Sequence, residues 1–111
     1  MGTVDRPDLL RGTLDLLVLK SLLSGPRHGY AIAERLKMVS DDVLQVGESS
    51  LYPALQRLLL RRWVKAAWGT SEHNRRARYY TLTRSGRKQL ADERRDFDLV
   101  IGAIRKVLDT P

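Results

Sequence analysis

The side chains here that could do chemistry do not assemble into an active site. His28 and His73 are far apart, and neither sits in an acidic or cysteine-bearing constellation. His28 reads as a helix-start residue and His73 as a loop residue rather than as metal ligands. No nucleophile motif accompanies them, and the chain has no cysteine for a thiolate or a disulfide. No cofactor, no metal and no enzymatic activity are expected. What remains is chemistry for phosphates and base edges. The stretch VGESSLYPALQRLLLRRW, Val46 to Trp63, puts Ser49, Ser50, Tyr52, Pro53, Gln56 and Arg57 in the front turns of an amphipathic segment. Glutamine suits adenine or another base edge, arginine suits guanine or phosphate, and the serine hydroxyls suit phosphate or base acceptors. A tyrosine ring can lie against a sugar or a thymine methyl and turn its hydroxyl to phosphate. A second cluster, Asn74, Arg75, Arg76 and Arg78, is suited to the phosphate backbone or the minor groove.

The charge distribution points the same way. The 111 residues carry 20 Lys/Arg against 13 Asp/Glu, a net charge of +7. Between Ser49 and Ala91 stand ten cations and one acid, Glu72, so that segment is +9 and the rest of the chain −2. A basic half on a near-neutral scaffold is the electrostatic footprint of a nucleic-acid binder. Hydrophobic content of 42% and charged content of 30% belong to a folded, soluble chain rather than a disordered one. No uncharged apolar run reaches the roughly eighteen residues of a membrane span. The opening residues MGTVDRPDLLRG hold acids and no apolar signal core, so a cytoplasmic location is expected. The length suits one domain, and a dimer would bury a larger share of its apolar surface.

Periodicity supplies the elements. Leu9 to Leu23 is leucine-dense nearly all round, which predicts a helix buried on more than one side. Asp8 could cap its start, and Gly12 predicts a restart at Thr13. HGYAIAERLKMVS reads as a second helix with Ile32, Ala33 and Leu36 in its apolar stripe. In the third, Leu51, Leu55, Leu58 and Leu59 form one buried face. Pro53 predicts a helix start with Ser50 as N-cap, because a proline deeper inside would cost about 3 kcal/mol. WVKAAWG and ARYYTLT predict a hairpin lined by Trp63, Val64, Trp68, Tyr79, Tyr80 and Leu82, with one of the two tyrosines buried and one outward. Both tryptophans read as hairpin packing. Thr83 caps a last helix whose Leu90, Phe97, Ile101, Ile104 and Leu108, widened by Val100, form a coiled-coil-like dimerisation seam.

The fold class is therefore mainly α with a small β-hairpin: a winged helix-turn-helix at 8–83 and a C-terminal dimerisation helix at 84–109. In that order the third helix enters the DNA major groove. The alternative is a winged-helix module for RNA or protein partners. The pieces LLRGTLDLLVLKSLL, HGYAIAERL, SSLYPALQRL and RRARYYTLTRSGRKQL also resemble, in order, the PadR family of transcriptional regulators, over about residues 8–108. The resemblance implies a homodimeric repressor of a palindromic operator on double-stranded DNA, in some members released by small aromatic compounds. It implies that Tyr30 lies near the DNA backbone. Ser50, Leu51, Tyr52 and Pro53 fall in the recognition-helix motif, and Arg76, Arg78, Tyr79 and Tyr80 in the wing signature. Phe97 stands where relatives often carry a tryptophan at the dimer interface. Leu9, Leu16, Phe97, Val100 and Ile101 are the candidates for lining an effector pocket. The chain departs from the family pattern at Ser49, at Leu59 and at Arg62, which replaces the glycine that normally ends the recognition helix.

Overall fold

The computed structural model describes residues 12–111. The Asp8 cap and Leu9 lie outside the described residues. Among these residues, four helices and three short strands follow one another as α1 (Leu14–Ser21), β1 (Arg27–His28), α2 (Gly29–Val39), α3 (Glu48–Leu60), β2 (Val64–Thr70), β3 (Arg76–Leu82) and α4 (Arg84–Asp109). Gly12 takes φ +85°, and Thr13 is the N-cap of α1, so the helix restarts where the glycine predicts. α1 packs on α2, α3 and α4, and its Leu14, Leu16, Val18 and Leu19 are all buried. That is why its leucines are not confined to one stripe. Arg27 closes the turn after α1, donating to the carbonyls of Ser21 (2.6 Å) and Gly25 (3.4 Å) and to the Ser24 hydroxyl (3.0 Å). A cation there meets the negative end of the helix dipole.

His28 starts α2 as expected, accepting the Ala31 N–H at Nδ1 (3.1 Å). Ile32 and Leu36 of α2 are buried and Ala33 packs partly buried beside them, while Tyr30 and Val39 are exposed. α3 corrects the expected start. Its N-cap is Gly47, whose carbonyl accepts from the N–H groups of Ser50 (3.1 Å) and Leu51 (3.0 Å). Pro53 is thus the sixth helical residue. The helix accepts it because the carbonyl it leaves without an N–H partner, that of Ser49, belongs to the exposed first turn, where water can replace the bond. Leu51, Leu55 and Leu58 join the core as the periodicity predicts, with Ala54 beside them and Leu59 half-buried.

The hairpin pairs Val64↔Leu82 through Thr70↔Arg76, and β1 adds a third antiparallel strand through Arg27↔Tyr80 and His28↔Tyr79. Two residues are too few to leave a period in the sequence, so β1 was not foreseen there. Val64, Tyr80 and Leu82 carry the sheet into the core. α4 is anchored at its start, where a Cβ on Gly86 would overlap the Trp63 carbonyl oxygen. Leu90, expected in the dimer seam, is only 8% exposed and belongs to the core of its own chain. Phe97 is partly buried against that core. Beyond it α4 projects from the body, and Val100, Ile104, Val107 and Leu108 are exposed.

Candidate nucleic-acid interface

The site is built from three backbone positions. α2 begins at Gly29, and Tyr52 of α3 lays its ring over that glycine. A Cβ at Gly29 would stand 3.0 Å from the Tyr52 hydroxyl oxygen and 3.3 Å from the ring, so glycine is what lets the two helices meet here. Opposite them rises the β2–β3 wing. Its loop is closed from within by Ser71, whose N–H donates to the Arg75 carbonyl (2.8 Å), whose carbonyl accepts from Asn74 N–H (2.9 Å) and whose hydroxyl accepts from Arg75 N–H (3.3 Å). Asn74 supplies the left-handed residue of that turn, φ 58°, which asparagine tolerates better than most residues.

Between the wing and the helices lies an open groove of about 880 Å³. Tyr30, Tyr52, Arg75, Arg76 and Arg78 all line it, so it gathers five of the residues singled out from sequence. His28, Trp68, His73 and Tyr80 line it too, and among the described residues no carboxylate does. With the positive end of α2 opening onto it, the groove has the chemistry to suit an anion. Trp68 departs from the packing role expected of it. It is not hairpin packing: it is 62% exposed, with the Arg76 guanidinium 4.4 Å from its ring centre. Trp63 is the packing tryptophan, half-buried against the core with Arg61 stacked on it at 5.1 Å. Of the tyrosine pair, Tyr80 is buried and Tyr79 only partly so, its ring covering Gly69 and meeting His28 edge-on.

Ser49, Pro53 and Gln56 stand outside the groove on the exposed face of α3, Ser50 is half-buried at its flank, and Asn74 is exposed at the wing tip. Arg57 has a partner that the local sequence did not suggest. Its Nε and a terminal nitrogen donate to the two oxygens of the Asp15 carboxylate at 3.2 and 2.7 Å. That pairing ties α3 to α1 and raises the Arg57 pKa further above its ordinary value. A fork-on-carboxylate contact fixes orientation, so Arg57 braces the helix.

At the other end of α3, Arg62 keeps the glycine-type turn and takes on its strain. With φ 61° it sits just past the C-cap Arg61. Trp63 N–H donates to the Leu58 carbonyl (3.0 Å) and Arg62 N–H to the Leu59 carbonyl (3.0 Å), the two bonds of a Schellman motif. The Arg62 carbonyl is held in turn by the Ser85 hydroxyl at 3.1 Å and lies 2.8 Å from that of Thr83, which caps α4 by accepting Gly86 N–H. Among the described residues no three His, Cys, Asp or Glu side chains converge on a metal-sized site, and no helix is long and apolar enough to cross a membrane.

A helix-turn-helix with an arginine-rich wing beside it defines a winged-helix DNA-binding protein. Residues 18–92 match the transcriptional regulator PadR-like family, and the chain belongs to it. It is similar to a transcriptional regulator from Clostridium thermocellum at 29% identity, covering 89% of this chain and 96% of the other, TM-score 0.81. A PadR family transcriptional regulator from Eggerthella lenta is 28% identical, with 94% and 88% covered and a TM-score of 0.77. An uncharacterized protein X of Lysinibacillus sphaericus is 30% identical over 87 residues, 78% of this chain and 80% of its own. The chain is thus a DNA-binding transcriptional regulator, a member of a family without enzymatic activity.

Proposed function

We propose that the chain is a homodimeric repressor that binds a palindromic operator. Residues 8–83 form the DNA-binding unit and the helix at 84–109 joins two copies. The observation that carries this reading is the continuity between the polar face of α3 and the arginine-lined groove. A duplex laid on that face offers its base edges to Ser49, Pro53 and Gln56. The same placement brings a phosphate strand between Tyr30, Tyr52 and the wing arginines. Arg57 braces α3 in this arrangement rather than reading bases. The apolar end of α4 supports the dimer, since Ile101 is half-buried while Val100, Ile104 and Leu108 are exposed on one side of a helix. Release by a small aromatic compound extends the proposal. Phe97, Val100 and Ile101 would contact it at the junction with the partner copy, and Leu16 would back the pocket.

The test is an anisotropy titration of the protein against duplexes from its own promoter region. One palindromic site should bind tightly, with log affinity falling against log salt by about 0.9 per phosphate neutralised. Added protein should lower transcription from that promoter, and aromatic acids or phenols should restore it. Failure to protect any site would defeat the operator reading, and a rise in transcription would replace repressor by activator.

A further inference from the structure

Trp68 has no packing role that would account for it. A large apolar ring on a short hairpin normally turns toward the body, as Trp63 does. Trp68 is instead 62% exposed on the groove face of β2. The register explains what it does there. Trp68 pairs across the ladder with Arg78, and Thr70 pairs with Arg76, so Trp68, Thr70, Arg76, Arg78 and Tyr80 share one face. Arg76 is the diagonal neighbour of Trp68, and its guanidinium lies back along the strand, 4.4 Å from the indole centre. One step nearer the core Arg78 stands over Tyr80 at 5.9 Å, the outer limit of such contacts. The Arg76 guanidinium makes no hydrogen bond and no ion pair among the described residues. Its five N–H donors remain available while one ring face fixes its position.

The structure assigns to Trp68 the role of a positioning residue that holds the Arg76 guanidinium in the groove to pair with a DNA phosphate. The assignment rests on the DNA-binding reading and adds a mechanism to it. A free arginine on a wing has to lose rotamer freedom when it meets the duplex, and a planar guanidinium stacked on indole has already lost much of it. The contact is placed on the backbone, where it fixes position and carries no sequence information of its own.

The experiment measures binding of a mixed-sequence duplex by anisotropy over a salt series, for the full chain and four variants. Trp68→Ala should weaken binding about two- to five-fold at fixed salt, the range of an exposed cation–π contact. Its salt slope should stay that of the wild type, because Arg76 still reaches its phosphate. Arg76→Ala should reduce the slope by about 0.9. In the double variant Trp68→Ala/Arg76→Ala, the tryptophan change should have no further effect. Trp68→Phe should recover part of the affinity, and because it keeps an aromatic ring on the hairpin it controls for folding, checked by thermal melting. An equal loss from Trp68→Ala with and without Arg76 would overturn the assignment, since the indole would then touch DNA by itself. No recovery in Trp68→Phe would overturn it as well. If the wild-type chain binds no duplex at low salt, the DNA-binding reading fails first, and that result is separable from the others.

Discussion

The wing and the far half of α4 both expose large side chains that a lone domain would bury, yet they do so in different company. On the wing, Trp68 and the buried Tyr80 carry guanidinium groups on their faces, and among the described residues no carboxylate lines the groove. On α4, Val100, Ile104, Val107 and Leu108 expose aliphatic surface, beyond a stretch where charges pair within the helix as in Arg94–Asp98 (3.1 Å) and Lys88–Asp92 (3.1 Å). An aromatic under a cation is part of a polar surface that seeks an anion. An aliphatic stripe offers no polar group to a ligand and gains only by burial. Exposure alone does not distinguish the two; the partners of each side chain do.

The largest expected effect would break the second half of that contrast. Val100→Asp with Ile104→Asp should give a monomer in sedimentation velocity and lower operator affinity by about 10²–10⁴-fold through lost bivalency. Persistence of the dimer would show that the stripe is not the seam. Gly86→Ala acts at the other end of α4. The added methyl meets the Trp63 carbonyl, so denaturant unfolding should show a loss of about 1–3 kcal/mol. The loss should be the same in the monomeric variant, because the clamp belongs to the body; an unchanged midpoint would disprove it. Arg62→Gly should stabilise by up to about 1 kcal/mol, the left-handed strain relieved less the entropy glycine adds to the unfolded chain. A lower melting temperature would mean that the arginine side chain holds the turn in another way.

The smallest effect is electrostatic. The Lys88 ammonium, and after it the Arg95 guanidinium, hold the Asp92 carboxyl below its usual range. A carboxylate depressed in the folded state stabilises above its unfolded pKa, and that contribution is lost as pH falls through the folded value. Wild type and Asp92→Asn should therefore differ slightly in melting temperature near neutrality and converge below about pH 4. A gap that widens on acidification would contradict the pairing.

Much of this was legible in local pattern. Thr83 announced α4, Gly12 the restart of α1, and the alternation of β-branched and aromatic residues the hairpin. What was hidden depended on distance in the chain or on competing physics. Asp15 claims Arg57 from another helix, and no window around Arg57 shows it. Pro53 indicated a later start than α3 has, because an exposed first turn tolerates the missing bond. Trp68 looked like core by type, and only the cross-strand register reveals the guanidinium on it. Leu90 continues the stripe of α4 without a break, so periodicity could not tell where the chain's own core ends and a partner's begins.

That unbroken stripe turns α4 into a ruler. Its 26 residues run as one helix from Arg84, beside the clamp at Gly86, to Asp109, a span of about 39 Å at 1.5 Å per residue. On the dimer reading no hinge separates the joint from the DNA-binding body, so spacing and phase of the two half-sites are written into the length and pitch of α4. One residue inserted ahead of the stripe would rotate each body by about 100° about its own helix relative to the seam. The two recognition helices would then face different sides of the duplex, with every residue of both interfaces intact.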